Sequence, residues 1–195
     1  VTTIGDKAFY NCTSLTSTTI GNSVTSIGDD AFGGCTSLTS VTIPDSVTEI
    51  GNSAFVACFS LTSFYGKFAS VDNRCLIANG KLIAFTIGCG ATEYTIPDSV
   101  TSIGGSTFGW CTSLTSVTIP DSVTEIGNDA FAECTSLTSV YCKPTTPPTG
   151  GSYMFDNTFD NNALGRKIYV PMESVETYKT AEGWRYYASY IVGYN

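Results

Sequence analysis

Eight cysteines, seventeen carboxylates and no histidine are the chemistry this chain has to offer. A Ser or Cys nucleophile usually needs a neighbouring base such as His to take its proton, so the familiar catalytic triads are excluded. Zinc is not expected either, because His and any C-x-x-C pair are both missing. Paired carboxylates remain, and Asp29, Asp30, Glu49, Glu125 and Asp129 are the candidates for glycosidase work. They recur at equivalent turn positions, whereas a catalytic pair is a singular constellation, so no enzyme is expected and a carbohydrate-active enzyme is the weakest reading. The stretch FDNTFDNNALG spaces Asp156 and Asp160 as a calcium loop would. It places Asn161 where that loop requires Gly and Lys167 where it requires Glu, which makes a polar surface loop the better reading. No metal and no cofactor is implied.

Five of the cysteines share one phase of an internal repeat, and that repeat decides how they are read. Phe9, Phe32, Phe55, Phe108 and Phe131 precede Cys12, Cys35, Cys58, Cys111 and Cys134 by three residues, and Leu15, Leu38, Leu61, Leu114 and Leu137 follow three later. The period is 23, and one unit, residues 23–45, reads SVTSIGDDAFGGCTSLTSVTIPD. Its LTSVTI stretch fits the L-x-x-L-x-L pattern that lays one short strand on each coil of a leucine-rich-repeat solenoid. A unit this short cannot bury its own apolar face, so stacking on neighbours must supply the core and place like residues over one another. The cysteine phase is then a ladder of free, buried thiols acting as small hydrophobes. Asn11-Cys12-Thr13 matches a glycosylation sequon, but a Cys12 in the core phase makes the match fortuitous.

Cys58 and Cys111 stand 53 residues apart, one coil of 23 plus one lengthened to 30. The extra residues fall in RCLIANGKLIAF, where Asn79-Gly80 predicts a β-hairpin, protruding from the solenoid or laid along it, within an irregular coil of about residues 67–96. Cys75 and Cys89 flank it and are the one pair to test for a disulfide. The regular phase resumes at Ile96. The solenoid is assigned to residues 1–142 and a small α/β cap to 143–195. In that cap PTTPPTGG breaks the pairing, KIYV forms a strand, and residues 172–182 form a helix with Pro171 at its first position and Gly183 as its stop. Trp184, Tyr186, Tyr187, Tyr190 and Ile191 supply an aromatic lid over the last coil. The first coil has no such lid and the chain starts at Val1 inside a repeat, so a mature or trimmed fragment, with more chain ahead of it, is expected.

The unit TSIGDDAFGGCTSLTSVTIPDSV resembles the BspA-like leucine-rich repeats of bacterial surface proteins, particularly those of gut Bacteroides. The likeness covers about residues 1–142, and the tail, with KIYVP, ESVETYKTAEGW and YIVGY, resembles the segment that closes many such chains. This resemblance implies an exported, extracellular or cell-surface protein with a part in adhesion. It carries no catalytic residue across, because the motif positions are scaffold.

Alternation along the strand sends Val41 and Ile43 inward and Ser40 and Thr42 outward. Stacking extends these into columns through Ser40, Ser63, Ser116 and Ser139 and through Thr42, Tyr65, Thr95, Thr118 and Tyr141, a polar, lightly aromatic sheet on the concave side. Ser and Thr are ordinary strand-surface residues; Tyr65 and Tyr141 break the Thr column and are the contacts to single out, beside an acidic fringe of Asp45, Asp98, Asp121, Glu49 and Glu125. Such a surface suits an extracellular protein or polysaccharide better than a small apolar ligand. Residues 1–142 carry twelve Asp/Glu against four Lys/Arg, out of a net charge of −8 for the chain. That surface repels phosphate backbones and anionic headgroups, so nucleic acid is not an expected partner. No apolar run is long enough to insert in a membrane. A monomer is expected. The rival to an adhesion or interaction module is a spacer that projects another domain and binds nothing itself.

Overall fold

The computed structural model describes residues 1–150 and 165–195. It divides into two compact units, Val1–Cys89 and Gly90–Asn195. The calcium-like pattern at 155–165 lies almost wholly outside the described residues.

The first unit holds seven short strands: β1 Thr3–Ile4, β2 Ser26–Ile27, β3 Ser40–Ile43, β4 Glu49–Ile50, β5 Ser63–Gly66, β6 Cys75–Ala78 and β7 Lys81–Phe85. Two parallel ladders run through successive coils. β1, β2 and β4 pair with Ile4, Ile27 and Ile50 in register, and β3 pairs β5 with Val41 opposite Phe64. The expected pile is present: Phe32 stacks between Phe9 and Phe55 at ring-centroid distances of 5.1 and 5.4 Å. Phe32, Cys35, Leu38 and Ile43 are fully buried and share one core with Phe55, Cys58, Leu61 and Phe64. The tight corner that brings Phe inward needs two left-handed residues per coil, four apart: Lys7 and Asn11, Asp30 and Gly34, Ser53 and Ala57. This geometry turns alternate N–H groups sideways. Phe9 and Asn11 donate to Ala31 and Gly33 carbonyls at 2.8 and 2.7 Å, and Phe32 and Gly34 donate to Ala54 and Val56 at 2.8 and 2.8 Å. Backbone groups that no strand could pair are thereby satisfied by the next coil.

The first coil departs from expectation. Phe9 is 39% exposed, Cys12 is exposed and Leu15 half-buried, where Phe32, Cys35 and Leu38 are at 0%. Among the described residues the first coil has a neighbour on one side alone, so its inward residues are half covered. Cys12 is therefore no reason to dismiss the Asn11 sequon, and Asn11 is itself exposed.

The inserted segment forms the antiparallel β6–β7 hairpin, with Asn79 at φ 53° and Gly80 at φ 77°. Two consecutive left-handed residues are what a type I′ turn demands. Leu76, Ile83 and Ala84 join the main core, so the hairpin is laid along its unit. Cys75 and Cys89 are not bonded; all eight cysteines are free thiols.

The second unit contains β8 Glu93–Thr95, β9 Ser102–Ile103, β10 Ser116–Ile119, β11 Glu125–Ile126, β12 Ser139–Cys142, β13 Lys167–Pro171, the helix α1 Val175–Thr180 and β14 Ile191–Tyr194. One parallel sheet runs β8, β10, β12, β13, β14. The C-terminal segment thus extends the ladder by two strands before its helices fold over the core. Pro171 ends β13 in an extended conformation, φ −51° and ψ 136°, and precedes a 3-10 turn, Met172–Ser174, so it is not the first residue of the helix. Tyr178 and Trp184 are both fully buried and meet edge to face at 4.7 Å. Tyr178 Oη donates to the Pro144 carbonyl at 2.8 Å and Trp184 Nε1 to that of Pro148 at 2.9 Å, fixing the proline-rich passage to the lid. The expected helix over 172–182 is shorter: α1 ends at Thr180, where Ala181 turns extended, and Gly183, at φ 78°, instead opens the 3-10 helix Trp184–Tyr190.

Candidate interaction surface

Strand alternation fixes which side chains face out. In the first unit Val41, Ile43 and Phe64 are buried, while Ser40 and Ser63 are half-buried and Thr42 and Tyr65 exposed. Ser40 lies opposite Ser63 and Thr42 opposite Tyr65 in parallel register. In the second unit Ser116 pairs with Ser139, Thr118 with Tyr141, and Thr95 with Thr118. Each predicted column member thus lies on the outward face of its own unit's sheet. Tyr65 is 45% exposed and Tyr141 38%.

Three neighbours escaped the sequence reading. Tyr169 on β13 is opposite Tyr141, and their rings stack at 4.7 Å and 12° between planes. Glu93 begins β8 opposite Ser116, and Lys167 begins β13 opposite Ser139. The loss of the 23-residue period after Lys143 hid Tyr169 and Lys167: Tyr169 follows Tyr141 by 28 residues, a register that pairing sets and spacing does not, whereas Glu93 stands 23 residues before Ser116, in the phase of the Ser column. The signal available was KIYV itself, whose alternation already sends Lys167 and Tyr169 to one side.

Of the carboxylates put forward as glycosidase candidates, Asp29, Asp30 and Asp129 hold the corners, while Glu49 and Glu125, expected at turns, open the strands β4 and β11. Asp29 Oδ1 accepts the Asn52 N–H at 2.6 Å, as Asp6 Oδ1 accepts that of Asp29 at 2.9 Å, one coil apart each time. Asp30 and Asp129 occupy left-handed positions at φ 51° and 56°, a conformation Asp tolerates well. The buried thiols are poor nucleophiles. Burial pushes Cys58 and Cys142 up to about 12 and raises Cys35, and only a thiolate attacks. Among the described residues no group of three or more Cys, Asp or Glu is arranged to hold a metal ion, and no helix is long and apolar enough to cross a membrane.

The profile of the BspA type leucine rich repeat region matches residues 2–87 and 81–179, in six copies. This chain belongs to the BspA-type leucine-rich-repeat family. It is similar to a leucine rich cell surface protein of Faecalibacterium prausnitzii, with 28% identity and a TM-score of 0.67 over 89% of this chain. That match takes in 52% of the Faecalibacterium protein, so the chain spans about half its length. The pneumococcal vaccine antigen PcpA shares the fold, with 18% identity and a TM-score of 0.62, over 99% of this chain and 64% of the antigen. No curated protein matches the chain.

Proposed function

We propose that this BspA-type chain is a non-catalytic, extracellular interaction module that holds a protein or polysaccharide against the outward faces of its parallel sheets. One observation carries the reading: Tyr65 and Tyr141 stand exposed in a column whose other repeat positions, Thr42, Thr95 and Thr118, are Thr. A fold that uses Ser and Thr to keep a sheet soluble has no structural need of exposed phenol rings, and Tyr is a common anchor of interfaces. The similarity to a leucine rich cell surface protein supports the location. Charge supports the partner class, since an acidic face disfavours nucleic acid and anionic membrane.

The test is a screen of the purified chain against extracellular-matrix proteins and a glycan array, repeated with Tyr65→Ala and Tyr141→Ala. At least one hit is expected, with affinity falling about tenfold in the variant that loses its anchor. A clean panel would favour a spacer that only projects another domain. A hit indifferent to both substitutions would move the site off the sheets.

A further inference from the structure

Tyr141 and Tyr169 stack at 4.7 Å with nearly parallel planes, a distance equal to the spacing of neighbouring strands. Their planes therefore stand upright on the sheet and face along the direction in which coils succeed one another. One end of this stack is closed, because Val192 lies opposite Tyr169 on β14. Among the described residues the other end is open. Beyond Tyr141 the column continues as Thr118 and Thr95, whose short side chains cannot rise to the height of a phenol ring. The result is a step, with the free face of Tyr141 as wall and Thr118 and Thr95 as floor, bordered by Ser116 and, opposite it, Glu93.

The coils on the open side of Tyr141 are acidic, while the cations Lys143, two residues past Tyr141, and Lys167, on β13, lie toward the closed side. Residues 90–142 contain six carboxylates, Glu93, Asp98, Asp121, Glu125, Asp129 and Glu133, and no Lys or Arg. The negative face of an aromatic ring in a negative field attracts a planar cation, and a guanidinium fits better than an ammonium because it can lie flat on the ring. The same unit already makes such contacts internally, with Arg166 4.5 Å from the Tyr190 centroid and Arg185 5.3 Å from that of Tyr186.

We propose that the open face of Tyr141 above Thr118 and Thr95, with Glu93 at its border, docks an arginine side chain of a basic segment in a partner protein. This rests on the reading of the strand faces as binding surfaces and chooses protein over polysaccharide for the second unit.

The probe is a nona-arginine peptide, with nona-lysine for comparison, titrated against the full chain at two salt concentrations. Nona-arginine should bind the more tightly. Tyr141→Ala should weaken it about threefold, while Tyr141→Phe keeps the ring and the affinity. Glu93→Gln should flatten the salt dependence, and Tyr186→Ala should change nothing. Thr118→Phe, which fills the step and leaves Tyr141 in place, should block binding even if Tyr141→Ala folds poorly. Equal binding of the two peptides, or wild-type affinity in both Tyr141→Ala and Thr118→Phe, would overturn the proposal. Should those results coincide with a matrix or glycan hit that does depend on Tyr141, the arginine ligand falls and the binding face stands.

Discussion

At the scale of residues, the ladder of thiols does more than fill space. Cys35, Cys58 and Cys134 point their Sγ at the carbonyls of Phe9, Phe32 and Phe108 at 3.2, 3.2 and 3.0 Å. Each corner leaves a carbonyl turned inward, and a thiol is a donor small enough to reach it and apolar enough to bury. In the lid Tyr178 has one proton and gives it to Pro144, so Cys142, 3.3 Å from the same oxygen, is the donor of that pair. Burial holds Cys58 and Cys142 protonated up to about 12, against an ordinary value of 9.0. Unfolded, these thiols ionise from about pH 8.5 upward. Between those limits the native state therefore binds more protons than the unfolded state, and the slope of stability against pH is negative. Stability is full below the unfolded value and falls by about 1.4 kcal/mol per pH unit for each such thiol until the folded value is reached. Urea midpoints between pH 8 and 11 should decline accordingly, and Cys58→Ala should flatten the decline. A flat profile in the wild type would contradict the burial. Exposed Cys12 should be the first thiol to react with a disulfide reagent, ahead of Cys35 and Cys58.

Elements show where local sequence suffices and where it does not. The hairpin is written in two residues: Asn79 and Gly80 take left-handed φ values that a β-branched side chain cannot adopt without strain. Gly80→Val should cost about 1–2 kcal/mol by thermal melting, whereas Asn79→Gly should be close to neutral. A tolerated valine would mean that β6 and β7 are held by their core contacts alone. The strands β3, β5, β10 and β12 were equally legible, since Leu38, Val41 and Ile43 fix both the alternation and the face, whereas the second strand of each coil, at Ile4, Ile27 and Ile50, spans two residues and is too short to show alternation. The added strand β13 was readable as KIYV, but its partner and register were not. Parallel pairing between Tyr141 and Tyr169 is a long-range choice, and the period that revealed every earlier pairing had ended. Strand β14 was hidden for a different reason: IVGY sits among aromatics whose density pointed only to a lid. The corner pattern was missed because its two left-handed positions hold Lys, Asp, Ser, Asn, Ala, Trp and Glu as well as Gly. Stacked backbone hydrogen bonds hold these residues there, and their side chains carry no signal of it. Trp110, at φ 62°, is the least suited of them, so Trp110→Gly should raise stability by about 1 kcal/mol in denaturant melts.

For the whole molecule, the governing problem is what covers the ends of a stack. An inner coil such as that of Phe32 is buried by a neighbour on each side, and the coil at Phe9 shows what one neighbour is worth: the ring is 39% exposed where Phe32 is at 0%. In the second unit the C-terminal segment solves the problem twice. β13 and β14 continue the ladder, so the backbone of Ser139–Cys142 meets a partner rather than solvent. Trp184 and Tyr178 then bring two large buried rings over the proline-rich passage, and each anchors itself to a proline carbonyl. Trimming the anchors should therefore be graded. Tyr178→Phe leaves the Pro144 carbonyl and the Cys142 thiol without their partner and should cost about 1–3 kcal/mol. Trp184→Ala, which opens a cavity as well, should cost about 3–5 kcal/mol. Deleting residues 143–195 goes further, because it bares the edge of β12 and the face of Val140 and Cys142 together, and an uncovered parallel edge is a template for another chain. That truncation should aggregate in size-exclusion chromatography at concentrations where the full chain elutes as a single species. If it instead remains monomeric with unchanged melting, the coils ending at Cys142 close themselves, and the tail is an appendage to the stack rather than its lid.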